Sequence, residues 1–155
     1  MTDPPTRSAG RAGGLRANAF AAVVILLVQY CLGMWVALYG TLPAGDPGKS
    51  LFPGFGAAVR DGPVVLSLHA ILGTLLLVTA TVALVRSSRL GSVSAIALTA
   101  VGLLAIVVAW VSGSKFVGAP SSGSSFTMAI ATAAAILSYA LVIFLVGSPS
   151  RTSSS

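Results

Sequence analysis

Four long apolar stretches set the pattern of this chain, at about 17–40, 63–85, 92–113 and 125–147, with turn-forming or polar segments between them. Each supplies the roughly 20 residues that a helix needs to cross about 30 Å of hydrocarbon. None shows the strict period-two alternation of a barrel strand. A helix also satisfies its own backbone hydrogen bonds, which a lipid environment demands. The pattern therefore predicts an all-α fold, an integral membrane four-helix bundle of antiparallel up-down topology. Residues 1–16, rich in Gly, Pro, Arg and Ser, predict a disordered basic tail, and 148–155 a disordered polar one. The first apolar stretch follows basic residues, as a signal peptide would. It is longer than the roughly 7–15 apolar residues of a signal sequence and lacks a clear A-x-A site, so it reads as a retained helix.

Composition sharpens this picture. Only 8% of the 155 residues are charged and 55% are hydrophobic, against about 25% charged in a typical soluble domain. Glutamate is absent, and the acids are Asp3, Asp46 and Asp61. The net charge of +6 raises nucleic acid as a partner. The basic residues stand singly between apolar runs, however, and form no stripe that could follow a phosphate backbone. The expected partners are the lipid bilayer and either a second copy or a larger membrane complex, with no nucleic acid.

Those basic residues orient the chain. Arg7, Arg11, Arg16, Arg86, Arg89 and Arg151 fall on one side, and Lys49, Arg60 and Lys115 on the other. The positive-inside rule then puts both termini in the cytoplasm, N-in and C-in. Trp35, Tyr39, Trp110, Phe116 and Phe126 lie near the outward ends of their helices, as an interfacial aromatic belt requires. The outer connection 41–62 carries Leu51, Phe52 and Phe55 among prolines and glycines and reads as an interfacial loop able to cover a site from outside. A preference for Arg over Lys and an Ala/Gly/Val-rich composition resemble a high-GC bacterium, which would make the membrane a plasma (inner) membrane.

Small residues mark where helices approach closely: Gly33, Gly73 and Gly102 in the first three stretches, and Ala129 and Ala133 one turn apart in the fourth. The lone cysteine, Cys31, permits no intrachain disulfide and reads as a small buried hydrophobe. No Ser–His–Asp set, metal-ligand cluster or phosphate loop can be assembled, and no catalytic residue is assigned.

One ionisable residue lies inside a predicted span, His69. Such residues are costly in lipid and are default candidates for function. With a rise of about 1.5 Å per residue, His69 stands roughly 9 Å below Pro63 in the outer leaflet. Gly73, one turn on, leaves space where a flat ligand could lie. Met128, on a helix running in the same direction, reaches a similar depth, so His69 and Met128 could approach one haem iron as an axial pair. In an up-down bundle their helices lie diagonally across the core. Gln29, near the middle of the first span, is either an interhelical hydrogen-bond donor or a cavity liner. A packing role for His69, bonded to Ser112, Thr127 or a carbonyl, stands beside the haem reading.

Gln29-Tyr30-Cys31-Leu32-Gly33 resembles the Q-x-x-L-G that opens one half of the haem A synthase family, and His69 matches the histidine on that family's next helix. The resemblance covers about residues 20–147, one four-helix half of an eight-helix fold, and implies haem ligation at His69. The chain departs from the family in having Met128 near the place of the second histidine. It also has no cysteine pair in its outer connections and no counterpart of the catalytic acid. The resemblance therefore implies a single-haem or haemless relative of one half, and not haem A synthesis. Two functions follow: a non-enzymatic structural or accessory component of a membrane complex, or a b-type haem protein with His69, Met128, Gly73 and Gln29 at its site.

Overall fold

The computed structural model describes residues 5–40 and 51–147. Five helices make up this part of the chain: α1 (Pro5–Tyr39), α2 (Leu51–Arg60), α3 (Val64–Leu90), α4 (Val93–Gly118) and α5 (Ser122–Gly147). All but α2 are long and apolar enough to cross a membrane. Their exposed positions remain apolar on nearly every side, with Phe20, Leu38, Leu104 and Phe144 standing on the outside. A helix apolar all round belongs in lipid or in a large core, and no core of that size exists here. The chain is thus a multi-pass membrane protein.

Two of the predicted boundaries are corrected. Residues 5–16, expected to be disordered, belong to α1, while 1–4 and the expected tail 148–155 lie outside the described residues. A proline is tolerated in the first helical turn because its missing N–H has no partner there. The helix then gains tertiary support early: Leu15 and Ala19 are fully buried, and Arg86 Nη1 donates to the Gly14 carbonyl. The connection 41–62 also differs. Its second half folds as α2, and 41–50, with Asp46 and Lys49, lies outside the described residues. Pro53 falls in the first turn of α2, where it breaks no helical hydrogen bond.

Short, locally specified turns join the last three helices. Gly91 takes the left-handed conformation (φ 71°) that ends α3, and its N–H bonds the Ser88 carbonyl. Ser92 then caps α4 by accepting from Ala95 N at 3.4 Å. Pro120 follows the end of α4, and Ser121 Oγ accepts from Ser124 N at 3.2 Å at the start of α5.

Each long helix packs against two others: α1 against α3 and α5, and α4 against α3 and α5. Among the described residues, α3 and α5 make no direct helix–helix contact. The main core lies in one half of the molecule. Leu15, Ala19, Ala22 and Leu26 form one face of α1 and meet Ala80 and Ala83 of α3, Ile106 of α4, and Ala135 and Tyr139 of α5. So many alanines let the backbones approach, which is what holds helices together when lipid is as apolar as the side chains. A second, smaller cluster, Val36, Ala58, Leu66 and Val117, closes the other end beneath α2.

Two polar contacts tie these helices together. Ser87 Oγ and Thr99 Oγ1 share a hydrogen bond of 2.8 Å between α3 and α4, and Asn18 Nδ2 donates to the Thr79 carbonyl at 3.0 Å between α1 and α3. Cys31 is exposed rather than buried, on the surface of α1 beside other apolar side chains.

Candidate functional site

Between the two apolar clusters lies a cavity in two adjoining parts, of about 80 Å³ and about 60 Å³. Both parts are lined by Gln29 and Gly33 of α1, His69 and Gly73 of α3, Trp110 of α4 and Met128 of α5. All four residues singled out in the sequence, Gln29, His69, Gly73 and Met128, therefore meet at one place. Leu26, Leu76 and Ile106 of the main core floor one part, and Ala58 and Leu66 roof the other.

The local geometry of α1 and α3 explains why these residue types stand where they do. Gln29 and Gly33 are one turn apart on α1, and His69 and Gly73 are one turn apart on α3. Gln29 Nε2 donates to the His69 carbonyl at 2.7 Å. That carbonyl is reachable because Gly73, four residues on, has no side chain to cover it. A Cβ at Gly73 would stand 3.0 Å from Gln29 Nε2. The mirror contact runs the other way: a Cβ at Gly33 would stand 3.1 Å from His69 Cε1. Each helix thus offers a polar side chain to the backbone bared by the other helix's glycine. The expected space over Gly73 is filled by the Gln29 amide. For His69, the imidazole lies against Gly33 of α1.

Two polar atoms at this clasp have no hydrogen-bond partner among the described residues, Gln29 Oε1 and His69 Nδ1. Met128 lies across the cavity against Gly113, where a Cβ would stand 3.4 Å from its sulfur. Trp110 was placed in the interfacial belt by its sequence position, but it turns inward. Its ring packs with Phe55 (centroids 5.6 Å apart) and Phe52 (6.4 Å) of α2. Position along a helix gives depth but not facing, so the sequence carried no signal for this role. Ser67 Oγ fixes α2 over the site by donating to the Ala58 carbonyl at 3.1 Å, with the Val59 carbonyl an alternative acceptor at 3.2 Å.

Haem makes two demands of such a site, donor atoms and room. His69 nitrogen and Met128 sulfur are suitable donors, and both line the cavity. The room is not there. Cofactor clefts begin at about 300 Å³, far above either part, and the glycine faces that could receive a flat macrocycle are covered by His69, Gln29 and Met128. The donor set suits haem iron and the space does not suit haem. Among the described residues, no group of three or more His, Cys, Asp or Glu side chains could hold a metal ion.

Fold and site together define a small multi-pass α-helical membrane protein with a polar clasp between α1 and α3 beside a partly open cavity. No family model, curated protein or solved structure matches the chain.

Proposed function

We propose that this chain is a non-enzymatic structural or accessory protein of the plasma membrane, an antiparallel up-down bundle with both termini in the cytoplasm. The observation that carries the reading is the α1–α3 clasp. Gln29, one of the costliest polar residues within the spans, donates to the His69 carbonyl across the helices, which is how interhelical hydrogen bonds hold membrane helices together, and the His69 imidazole packs over Gly33. The contact registers support the up-down arrangement. Gln29 meets Gly73 while Gly33 meets His69, and Gly102 meets Tyr139 while Gly113 meets Met128. Numbers rise on one helix as they fall on its neighbour. The orientation rests on the arginines. Arg11, Arg16, Arg86 and Arg89 belong to one end of the helices, and Arg60 and Lys115 to the other.

An accessory role also needs a surface for a partner. Helix α5 offers Ala133 and Ala134, both exposed, beside the exposed Ile130 and Leu137. Small residues there allow the close backbone approach that membrane association uses. The partner is a second copy or another helical membrane protein.

The competing reading, a b-type haem protein with His69 and Met128 as axial ligands, has its donors in place but not its room. A reduced-minus-oxidised absorption spectrum of the detergent-purified protein, expressed with ample haem, separates the two. The accessory reading predicts a folded protein with no Soret band. A stoichiometric Soret and α-band that disappear in His69→Ala would overturn it.

A further inference from the structure

Two arginines at the end of α3 carry charge that no acid of the described residues balances. Arg86 and Arg89 are three residues apart, hence neighbours on one face of the helix, and both are exposed. One bond, from Arg86 Nη1 to the Gly14 carbonyl at 2.6 Å, holds that guanidinium against α1 and leaves its other N–H donors unspent. Asp61, the sole acid among the described residues, lies beside Arg60 at the opposite end of the helices. Of the other two acids in the sequence only Asp3 is near this end, against Arg7, Arg11 and Arg16 of the same segment. Arg16 is placed differently from the α3 pair. Its guanidinium carbon lies 3.3 Å from where a Cβ of Gly147 would stand, at the negative end of the α5 dipole. Beside Arg86 and Arg89, α1 is bare. Gly10, Gly13, Gly14 and Ala17 recur at three- and four-residue spacing and so share a face, the one that receives Arg86. A Cβ at Gly10 or Gly13 would meet nothing within 4 Å, so packing inside the bundle calls for neither glycine, although glycine weakens a helix.

We propose that Arg86 and Arg89 bind the phosphate of an anionic phospholipid, whose head group rests on the glycine face of α1. A guanidinium fork matches phosphate oxygens in pairs, and Arg86 is already fixed in place by its bond to Gly14. Depth favours a lipid over a soluble anion. Arg86 stands where the apolar run of α3 ends, and the surface below it, toward the middle of the membrane, is apolar and exposed: Phe20 and Val24 of α1, Val82 and Val85 of α3. Acyl chains lie along that surface while the head group meets the arginines at the interface, which is how basic clusters beside membrane helices recognise anionic lipids. The proposal rests on the membrane setting of the helices, and not on the accessory role or on which way the bundle faces, which topology labelling tests separately.

Native mass spectrometry of the full-length protein in detergent, titrated with phosphatidylglycerol or phosphatidylcholine of identical acyl chains, reads lipid binding directly. Phosphatidylglycerol is expected to bind tighter by about fivefold or more, since each arginine near an anionic surface contributes roughly that factor. Arg89→Gln should lower the phosphatidylglycerol affinity by about fivefold. Gly13→Leu should lower it comparably: it keeps every charge, covers the bare face, and its Cβ meets no neighbour inside the fold. Arg60→Gln, at the opposite end, should leave binding unchanged, and circular dichroism checks that each variant keeps its helices. Equal binding of the two lipids, or phosphatidylglycerol binding unchanged in Arg89→Gln or in Gly13→Leu, would overturn the proposal. So would an equal loss in Arg60→Gln, the mark of general charge attraction. Displacement of the lipid by millimolar inorganic phosphate would also overturn it, by making this a site for a soluble anion.

Discussion

Replacing Gly73 with alanine puts a methyl group where the Gln29 amide now lies, and the cost follows from distances in the clasp. The new Cβ would stand 3.0 Å from Gln29 Nε2, the same nitrogen that donates to the His69 carbonyl at 2.7 Å. The amide must retreat by a few tenths of an ångström, which stretches or breaks that bond. Interhelical hydrogen bonds in membrane proteins average about 0.6 kcal/mol and reach about 1.7. Overpacking adds roughly 1–3 kcal/mol, and alanine's better helix propensity returns up to about 1 kcal/mol. The expected net loss is about 1–2 kcal/mol. In a Gln29→Ala background the same methyl meets only Trp110 Cδ1, at 3.8 Å, an ordinary contact, so Gly73→Ala becomes neutral or stabilising there. The two changes should therefore be coupled by about 1–2 kcal/mol, above the ~0.3–0.5 kcal/mol within which independent sites add. Reversible unfolding of the four proteins of the cycle by SDS in mixed micelles, read by circular dichroism, measures this directly. Additivity within that limit would refute the clasp. Gly33→Ala with His69→Ala forms the mirror cycle and should behave alike.

Other packing sites give clear outcomes in the same unfolding assay. Gly102→Ala would bring a Cβ to 2.7 Å from Tyr139 Cε2. Because the Tyr139 ring is fully buried and cannot step aside, the variant should lose roughly 1–3 kcal/mol or more. Tyr139→Phe should be neutral or gain up to about 1 kcal/mol, since the hydroxyl is buried with no partner among the described residues and an unmet polar group costs stability. Ser87→Ala should lose about 0.6 kcal/mol and no more than about 1.7. It removes the bond to Thr99 Oγ1, but Thr99 keeps its own bond to the Ala95 carbonyl at 2.8 Å.

Much of the architecture was legible because lipid imposes simple rules on sequence. Length and hydropathy located four spans, and the expected start of the third and end of the fourth agree closely with α4 and α5. The start of α1 was not legible. Gly10, Gly13 and Gly14 argued against a helix, and only the burial of Leu15 and the contact from Arg86 outweigh that local preference. Helix α2 was hidden for a similar reason: Pro53 and Gly56 read as loop, while Phe55, Ala58 and the Ser67 hydroxyl tie the segment down. At the site, the expense of burying His69 and Gln29 identified them in advance, and Gly33 and Gly73 were evident as close-approach points. Their reciprocity was not. It depends on the rotation of α1 against α3, which spacing within one helix does not encode, and the inward turn of Trp110 depends on rotation in the same way.

The central claim is a membrane protein of four crossings with its termini in the cytoplasm, and cysteine accessibility tests it most directly. In a Cys31→Ser background, single cysteines at Ser88 and Ser121 stand exposed at opposite ends of the long helices. A membrane-impermeant maleimide added to intact cells should label Ser121→Cys at once and label Ser88→Cys only after permeabilisation. Labelling of Ser88→Cys in intact cells with Ser121→Cys protected would invert the topology, and equal labelling of both before permeabilisation would contradict the membrane-spanning account itself.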